Sequence, residues 1–178
     1  MAKRFYSIII PVYNRPDEVD ELLESLTLQT YKNFEVIIVE DGSKKKCDKI
    51  VEKYIHELNI NYCSKENAGQ GFARNYGYER ARGEYFIVFD SDCIIPDHYL
   101  DTVETFLNEN YLDAYGGPDR AHDSFTPIQK AINFSMTSVF TTGGIRNKKK
   151  AIGGFSPKSF NMGISRVVFD ATGGYIIP

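Results

Sequence analysis

Two carboxylates separated by one residue, Asp90 and Asp92 around Ser91, follow the apolar run Tyr85–Phe89. Alternate residues of an extended segment point the same way, so such a pair can share one cation. Hard divalent ions, Mg²⁺ or Mn²⁺, favour oxygen ligands and keep phosphate oxygens in their shell. A metal held there would neutralise a diphosphate leaving group. The competing reading is a solvated acidic turn closing a strand. Asp41 comes just after a second apolar run, Phe34–Val39. Its carboxylate can accept a hydrogen bond from a base N–H or a ribose hydroxyl, or it can cap the next helix, where Asp and Ser are favoured. A third segment, Gly69-Gln70-Gly71-Phe72-Ala73-Arg74-Asn75, opens a helix. Its glycines allow close backbone approach, a helix N-terminus attracts phosphate, and Arg74 adds charge. The spacing is not G-x-G-x-x-G, and a plain turn with a helix cap also accounts for it.

The elements preceding these segments must bring them together. Ser7–Val12 reads as a buried strand ending in Tyr13-Asn14-Arg15. Pro16, Asp17 and Glu18 then open a helix, with Val19, Leu22, Leu23 and Leu26 on one face. Phe34–Val39 is a second strand. Cys47, Ile50, Val51, Tyr54, Ile55 and Leu58 recur at helical spacing. Ile60–Cys63 reads as a third strand, Ala68–Arg82 as a helix, Tyr85–Phe89 as a fourth strand and Asp97–Asn108 as another helix. Strands apolar on both faces belong to a parallel sheet covered on both sides. The fold class is α/β: three layers, α/β/α, Rossmann-like, with a mostly parallel central sheet. Ligands of such sheets bind beyond the carboxyl ends of the strands, where the polar segments fall. Further on, Leu112–Tyr115 and Phe160–Ser165 read as strands, the latter followed by a short helix, and Phe125–Phe140 reads as a helix. Thr141–Ser159 is expected to be an irregular loop, a lid over a bound ligand or a solvated connection without a role. Gly116-Gly117-Pro118-Asp119-Arg120 is read as a sugar or acceptor contact, or as a turn.

Bulk properties narrow the function classes. The 178 residues suffice for one α/β domain. A net charge of −3 creates no global field toward nucleic acid. Apolar runs fall far short of the ~20 residues needed to span a bilayer. The start of the chain reads as leading directly into a strand and not as a signal peptide. Cys47, Cys63 and Cys93 lack C-x-x-C spacing, which fits a reducing cytoplasm, and His56, His98 and His122 form no metal pattern.

Taken in order, SIIIPVYNRPDEVDELLESLTLQTYKNFEVIIVEDGS, ENAGQGFARNYG and GEYFIVFDSDCIIPD resemble glycosyltransferase family 2. The resemblance is strong over Ser7–Asp97 and loose over Gly116–Tyr175. It implies a GT-A fold and inverting transfer from a nucleotide diphosphate sugar, most often a UDP-sugar, to a glycan or lipid-linked acceptor in cell-surface polysaccharide synthesis. By that resemblance Pro11, Tyr13, Asn14 and Arg15 line the nucleotide pocket, and Asp41 reads the base. Gly71, Arg74 and Asn75 form the second nucleotide-contacting segment, and Ser91 belongs with them. Asp90 and Asp92 correspond to the D-x-D pair, with Asp92 the direct metal ligand and Asp90 a ribose or metal-shell contact. Asn161, Gly173, Gly174 and Tyr175 match the acceptor side.

Residues 1–97 would then be the nucleotide-binding half of a single domain and 98–178 the start of the acceptor-binding half. The expected location is cytoplasmic, including the inner face of a membrane. The family's general base lies a short way past the double glycine, so it is expected beyond Pro178, in a chain longer than this one. No catalytic base is assigned. The alternative is a nucleotide-sugar-binding fragment, inactive in isolation. A nucleotidyltransferase would carry a Gly-rich loop after the first strand, where Tyr-Asn-Arg-Pro stands, and a Rossmann dehydrogenase fails for the same reason.

Overall fold

The computed structural model describes residues 3–117, 126–128 and 161–176. Strands β1 (Tyr6–Val12), β2 (Phe34–Asp41), β3 (Ile60–Lys65) and β4 (Tyr85–Phe89) alternate with helices α1 (Pro16–Thr27), α2 (Asp48–Tyr54) and α3 (Gln70–Tyr78). After β4 come α4 (Tyr99–Glu109), β5 (Ala114–Gly116), β6 (Asn161–Ser165) and α5 (Arg166–Thr172). The sheet order is β3-β2-β1-β4-β6-β5. The first four strands are mutually parallel, and β6 enters antiparallel between β4 and β5.

Alternation along each strand divides the core into two layers. Ile8, Ile10, Val36, Ile38, Tyr85 and Ile87 face α1, α2 and α4. Ile9, Ile37, Val39, Phe86 and Val88 face α3 and α5. Every residue of β1, β2 and β4 is buried, as the unbroken apolar runs predict. The α/β/α expectation therefore holds, with the antiparallel β6 as its one exception to parallel pairing among the described strands.

Buried polar residues on these strands are matched in register. Glu35 is paired with Ser7 across β1/β2 and accepts a bond from Ser7 Oγ at 2.7 Å. It also accepts from Arg82 N and Nε, both at 2.7 Å, and Ser7 Oγ accepts from Gly83 N at 2.8 Å. This network closes the turn that delivers the chain into β4, so a buried carboxylate costs little here.

Boundaries differ from the sequence reading where long-range bonds decide them. α3 starts at Gln70, because Gly69 is held at φ +99°, outside helical space. β3 runs two residues further, to Lys65, and β5 starts two residues later and ends one residue later than expected. Most of the helix expected at Phe125–Phe140, all of the loop at Thr141–Ser159 and Pro118-Asp119-Arg120 lie outside the described residues. Among the described residues no helix is long and apolar enough to cross a membrane.

Candidate functional site

The strand order reverses between β1 and β4, so the loops leaving these two strands diverge and open a crevice at the carboxyl edge. A cleft of about 330 Å³ lies there, lined by Pro11, Val12, Tyr13, Arg15, Asp41, Asn67, Gly69, Gln70, Ala73, Asp90, Ser91 and Asp92. Three segments separated by tens of residues thus meet, because β2, β1 and β4 are neighbours in the sheet.

Asp41 closes β2 on the face that carries α3, and it is 4% exposed. Its Oδ1 accepts from Lys65 Nζ at 2.6 Å and from Ala68 N at 3.1 Å, and its Oδ2 accepts from Gly69 N at 2.8 Å. Lys65 is its register partner on β3. Asp41 therefore fastens the approach to α3. The helix that comes next in sequence, α2, is approached instead through Glu40, on the opposite face of the strand. Glu40 is fully buried and accepts from Cys47 N (3.0 Å), Cys47 Sγ (3.1 Å), Tyr62 Oη (2.9 Å) and Ser43 Oγ. Burial, reinforced by that carboxylate, pushes the Cys47 thiol up, so Cys47 stays protonated and inert.

Between Glu40 and Asp41 on one side and the turn on the other stands Gly42, with φ +73°. A Cβ there would sit 2.6 Å from the backbone nitrogen of Asn67, whose Nδ2 in turn donates to Asp41 O at 2.8 Å. Only glycine lets the 66–69 loop press against the end of β2.

On the other wall, Asp90 Oδ1 accepts from Gln70 Nε2 at 2.8 Å and from Arg74 Nη2 at 2.9 Å. Asp92 Oδ2 accepts from Arg15 Nη1 at 2.8 Å, with the two side chains 53% and 48% exposed. The Arg74 pair is fixed by burial, whereas the Arg15 pair stands in water at the cleft mouth, where such a contact contributes little. Tyr13, half-exposed, lies in the same lining.

Seven of the residues singled out from the sequence line the cleft: Pro11, Tyr13, Arg15, Asp41, Asp90, Ser91 and Asp92. Asn14, Gly71, Arg74 and Asn75 are not in the lining. Asn14, at φ +57°, spends its Oδ1 on Lys44 N (2.7 Å) and Lys45 N (3.1 Å), while its own N donates to Ser43 Oγ at 2.8 Å. Arg74 stands behind Asp90, and Asn75 bonds to the backbone of Tyr175. Asn161 accepts from Tyr99 Oη at 2.7 Å through its Oδ1, away from the cleft lining. Gly69, Gln70 and Ala73 line the cleft from the segment read as a phosphate-attracting helix start, although none of them was given a role of its own, and Val12 and Asn67 line it without having been assigned a site role. Gln70 was traceable from its place between two glycines at a helix start, and Asn67 had no local signal.

Among the described residues no group of three or more His, Cys, Asp or Glu is arranged to hold a metal. Two carboxylates with oxygen-only chemistry remain in the cleft lining, Asp90 and Asp92. That donor set fits a hard divalent ion completing its shell with phosphate and water oxygens.

This sheet order, with its cleft at the β1/β4 switch point, is a GT-A fold. The chain belongs to glycosyl transferase family 2, whose family model matches residues 7–172. It is 36% identical over 112 residues to poly(ribitol-phosphate) beta-N-acetylglucosaminyltransferase TarS of Staphylococcus aureus, an alignment covering 61% of this chain and 20% of that protein. It is 35% identical over 131 residues to an uncharacterized glycosyltransferase of Haemophilus influenzae, covering 71% of this chain and 44% of the relative. Among solved structures, TarS 1–349 in complex with UDP-GlcNAc superposes with a TM-score of 0.63 at 32% identity, over 68% of this chain and 36% of that one. A mannosyltransferase from Pyrobaculum calidifontis, in complex with GDP-Man and Mn²⁺, superposes with a TM-score of 0.74 at 19% identity over 99% of this chain and 48% of that one, a likeness of fold. The chain spans less than half the length of each of these relatives.

Proposed function

We propose that the cleft binds a UDP-sugar and that the protein transfers its sugar, with inversion and with a divalent metal, to a glycan or lipid-linked acceptor in cell-surface polysaccharide synthesis. The observation that carries the reading is the state of Asp41. A carboxylate offers about four acceptor sites. Lys65 Nζ, Ala68 N and Gly69 N take three of them. One remains, on a residue that lines the cleft, and it suits the single N3–H of uracil. Guanine would present two adjacent donors, N1–H and the 2-amino group, and leave one unpaired. TarS, which shares the fold and 32% identity, binds UDP-GlcNAc, and this supports the same base preference.

In this reading Tyr13 covers the base, Pro11 and Ser91 shape the pocket floor, and Asp90 meets the ribose. Asp92 and Asp90 hold Mg²⁺ or Mn²⁺, and the ion supplies positive charge to the diphosphate when bound. Arg15, already at the cleft and only loosely held by Asp92, adds a second positive charge beside the leaving group. Gly69, at φ +99°, keeps the loop before α3 close to the phosphates. No described residue is assigned as general base. A nucleotide-sugar-binding role without turnover is the second reading, in keeping with a cleft whose described residues supply a donor pocket and no assigned base.

Titration calorimetry of UDP and GDP, with and without Mn²⁺, tests the proposal on wild type and Asp92→Ala. Metal-dependent binding of UDP, weaker binding of GDP and loss in the variant are expected. Equal affinity for both nucleotides would remove the Asp41 argument, and no binding of either would remove the donor site itself. Transfer of radiolabelled sugar by a longer chain but not by this one would favour the second reading for these residues.

A further inference from the structure

Arg74 and Asn75 are adjacent on α3, and both reach one short segment, Gly173–Tyr175, just after α5. The Asn75 amide forms two bonds to a single residue: Nδ2 donates to Tyr175 O at 2.9 Å, and Tyr175 N donates to Asn75 Oδ1 at 2.8 Å. This reproduces the reciprocal bond pair of antiparallel strands, with a side chain in place of one strand. Gly174 permits the approach, since its φ is +89° and a Cβ would lie 2.5 Å from Asn75 Oδ1. The Arg74 guanidinium lies 5.3 Å from the centre of the Tyr175 ring, within reach of a cation–π contact.

Arg74 also joins this segment to the cleft. It is 5% exposed, and its Nε has no hydrogen-bond partner among the described residues. Among the described residues, Asp90 is the one carboxylate paired with it, at 2.9 Å. A buried cation with a single counter-ion depends strongly on that partner. Loss of the Asp90 charge leaves the buried guanidinium uncompensated and favours its moving toward water, away from the Tyr175 ring and the segment that carries it.

We propose that Arg74 and Asn75 are positioning residues: Asn75 clasps Gly173–Tyr175 to the back of the cleft wall, and Arg74 makes that clasp sensitive to Asp90. The functional meaning rests on the donor-site reading. The acceptor-side segment then responds to what engages Asp90, although neither Asn75 nor Tyr175 lines the cleft. By linkage, weakening the clasp also changes nucleotide affinity.

Amide hydrogen exchange of the whole chain, read at Tyr175 with Val39 in β2 as reference, tests the clasp without any ligand. Asn75→Ala is expected to speed Tyr175 exchange about tenfold, the equivalent of one lost hydrogen bond. Gly174→Ala, which disturbs the same contact from the segment's side, is expected to do likewise. Asp90→Asn is expected to speed Tyr175 exchange several-fold and leave Val39 unchanged. A Tyr175 amide at the wild-type rate in Asn75→Ala and Gly174→Ala overturns the clasp. A wild-type rate in Asp90→Asn, or equal acceleration at Val39, overturns the coupling. UDP titration of Asn75→Ala is expected to show affinity shifted several-fold, and unchanged affinity limits Asn75 to a structural role and overturns the positioning claim. Should the wild type bind no nucleotide, the donor reading fails, while the exchange rates still decide the clasp and its coupling.

Discussion

Asp41→Asn replaces one acceptor oxygen by a donor NH₂ and so removes one hydrogen bond. The aspartate accepts from Lys65 Nζ and Ala68 N on Oδ1 and from Gly69 N on Oδ2. An asparagine can keep its oxygen toward the first pair, but its NH₂ then points at the Gly69 N–H. A buried donor without an acceptor costs about 1–3 kcal/mol, and exchanging a charged for a neutral acceptor at Lys65 costs about 1 kcal/mol more. The Lys65 side chain retains 17% exposure, so water recovers part of that second loss. The net expectation is about 3 kcal/mol, which for a chain of this size lowers the melting midpoint by about 6–12 °C. Thermal unfolding followed by circular dichroism measures it directly. In a Lys65→Met background the same substitution should cost less, because the charge-assisted bond is already gone. A midpoint within about 1 °C of wild type would refute the view that Asp41 anchors the 66–69 loop.

Two further outcomes follow from equally local features. Gly42→Ala should destabilise by about 2 kcal/mol or more, since it adds positive-φ strain to a contact with the Asn67 backbone nitrogen; urea unfolding should show the midpoint falling with an unchanged slope. Glu104 is nearly buried, which works against its charged form, but bonds from Tyr6 Oη (2.6 Å) and Arg4 Nη1 (3.1 Å) outweigh burial and hold its pKa below the ordinary 4.5. The stabilisation from this depressed pKa is fully present above the ordinary value and is lost as pH falls through the folded one. Wild type should therefore lose stability below about pH 4.5 more steeply than Glu104→Gln in a pH series of urea melts.

What could be read from the sequence, and what could not, separates by the range of the interactions. SIIIPV, FEVIIV and YFIVF announced themselves as buried parallel strands because they are apolar on both faces, with Ser7 and Glu35 as the only polar positions, and the polar residues after them fell at the sheet edge as the topology requires. Position alone thus located Arg15, Asp41, Asp90 and Asp92 in one cleft. Side-chain duty was harder to read. Asn14 and Asn75 carry the polar type expected of ligand contacts, yet each amide is used by a distant backbone, that of Lys44 and Lys45 or of Tyr175. The partner of Asn75 lies a hundred residues away, and no local pattern encodes it. The placement of β6 between β4 and β5 was likewise illegible, since its five residues, Asn161–Ser165, are short and mixed in character.

That late arrival of β6 matters during synthesis. Strands β1 to β4 are complete once Phe89 has left the ribosome, but the second edge of β4 stays unpaired until Asn161–Ser165 appears. The intervening stretch of about 70 residues takes roughly 4–14 s to translate at typical rates. Throughout that interval the nascent chain displays an open strand of sequence YFIVF, wholly apolar and without a charge to deter a stray partner. Nascent-chain quality control should find its main target there, and codon choice between Asp90 and Phe160 should govern how long the hazard lasts.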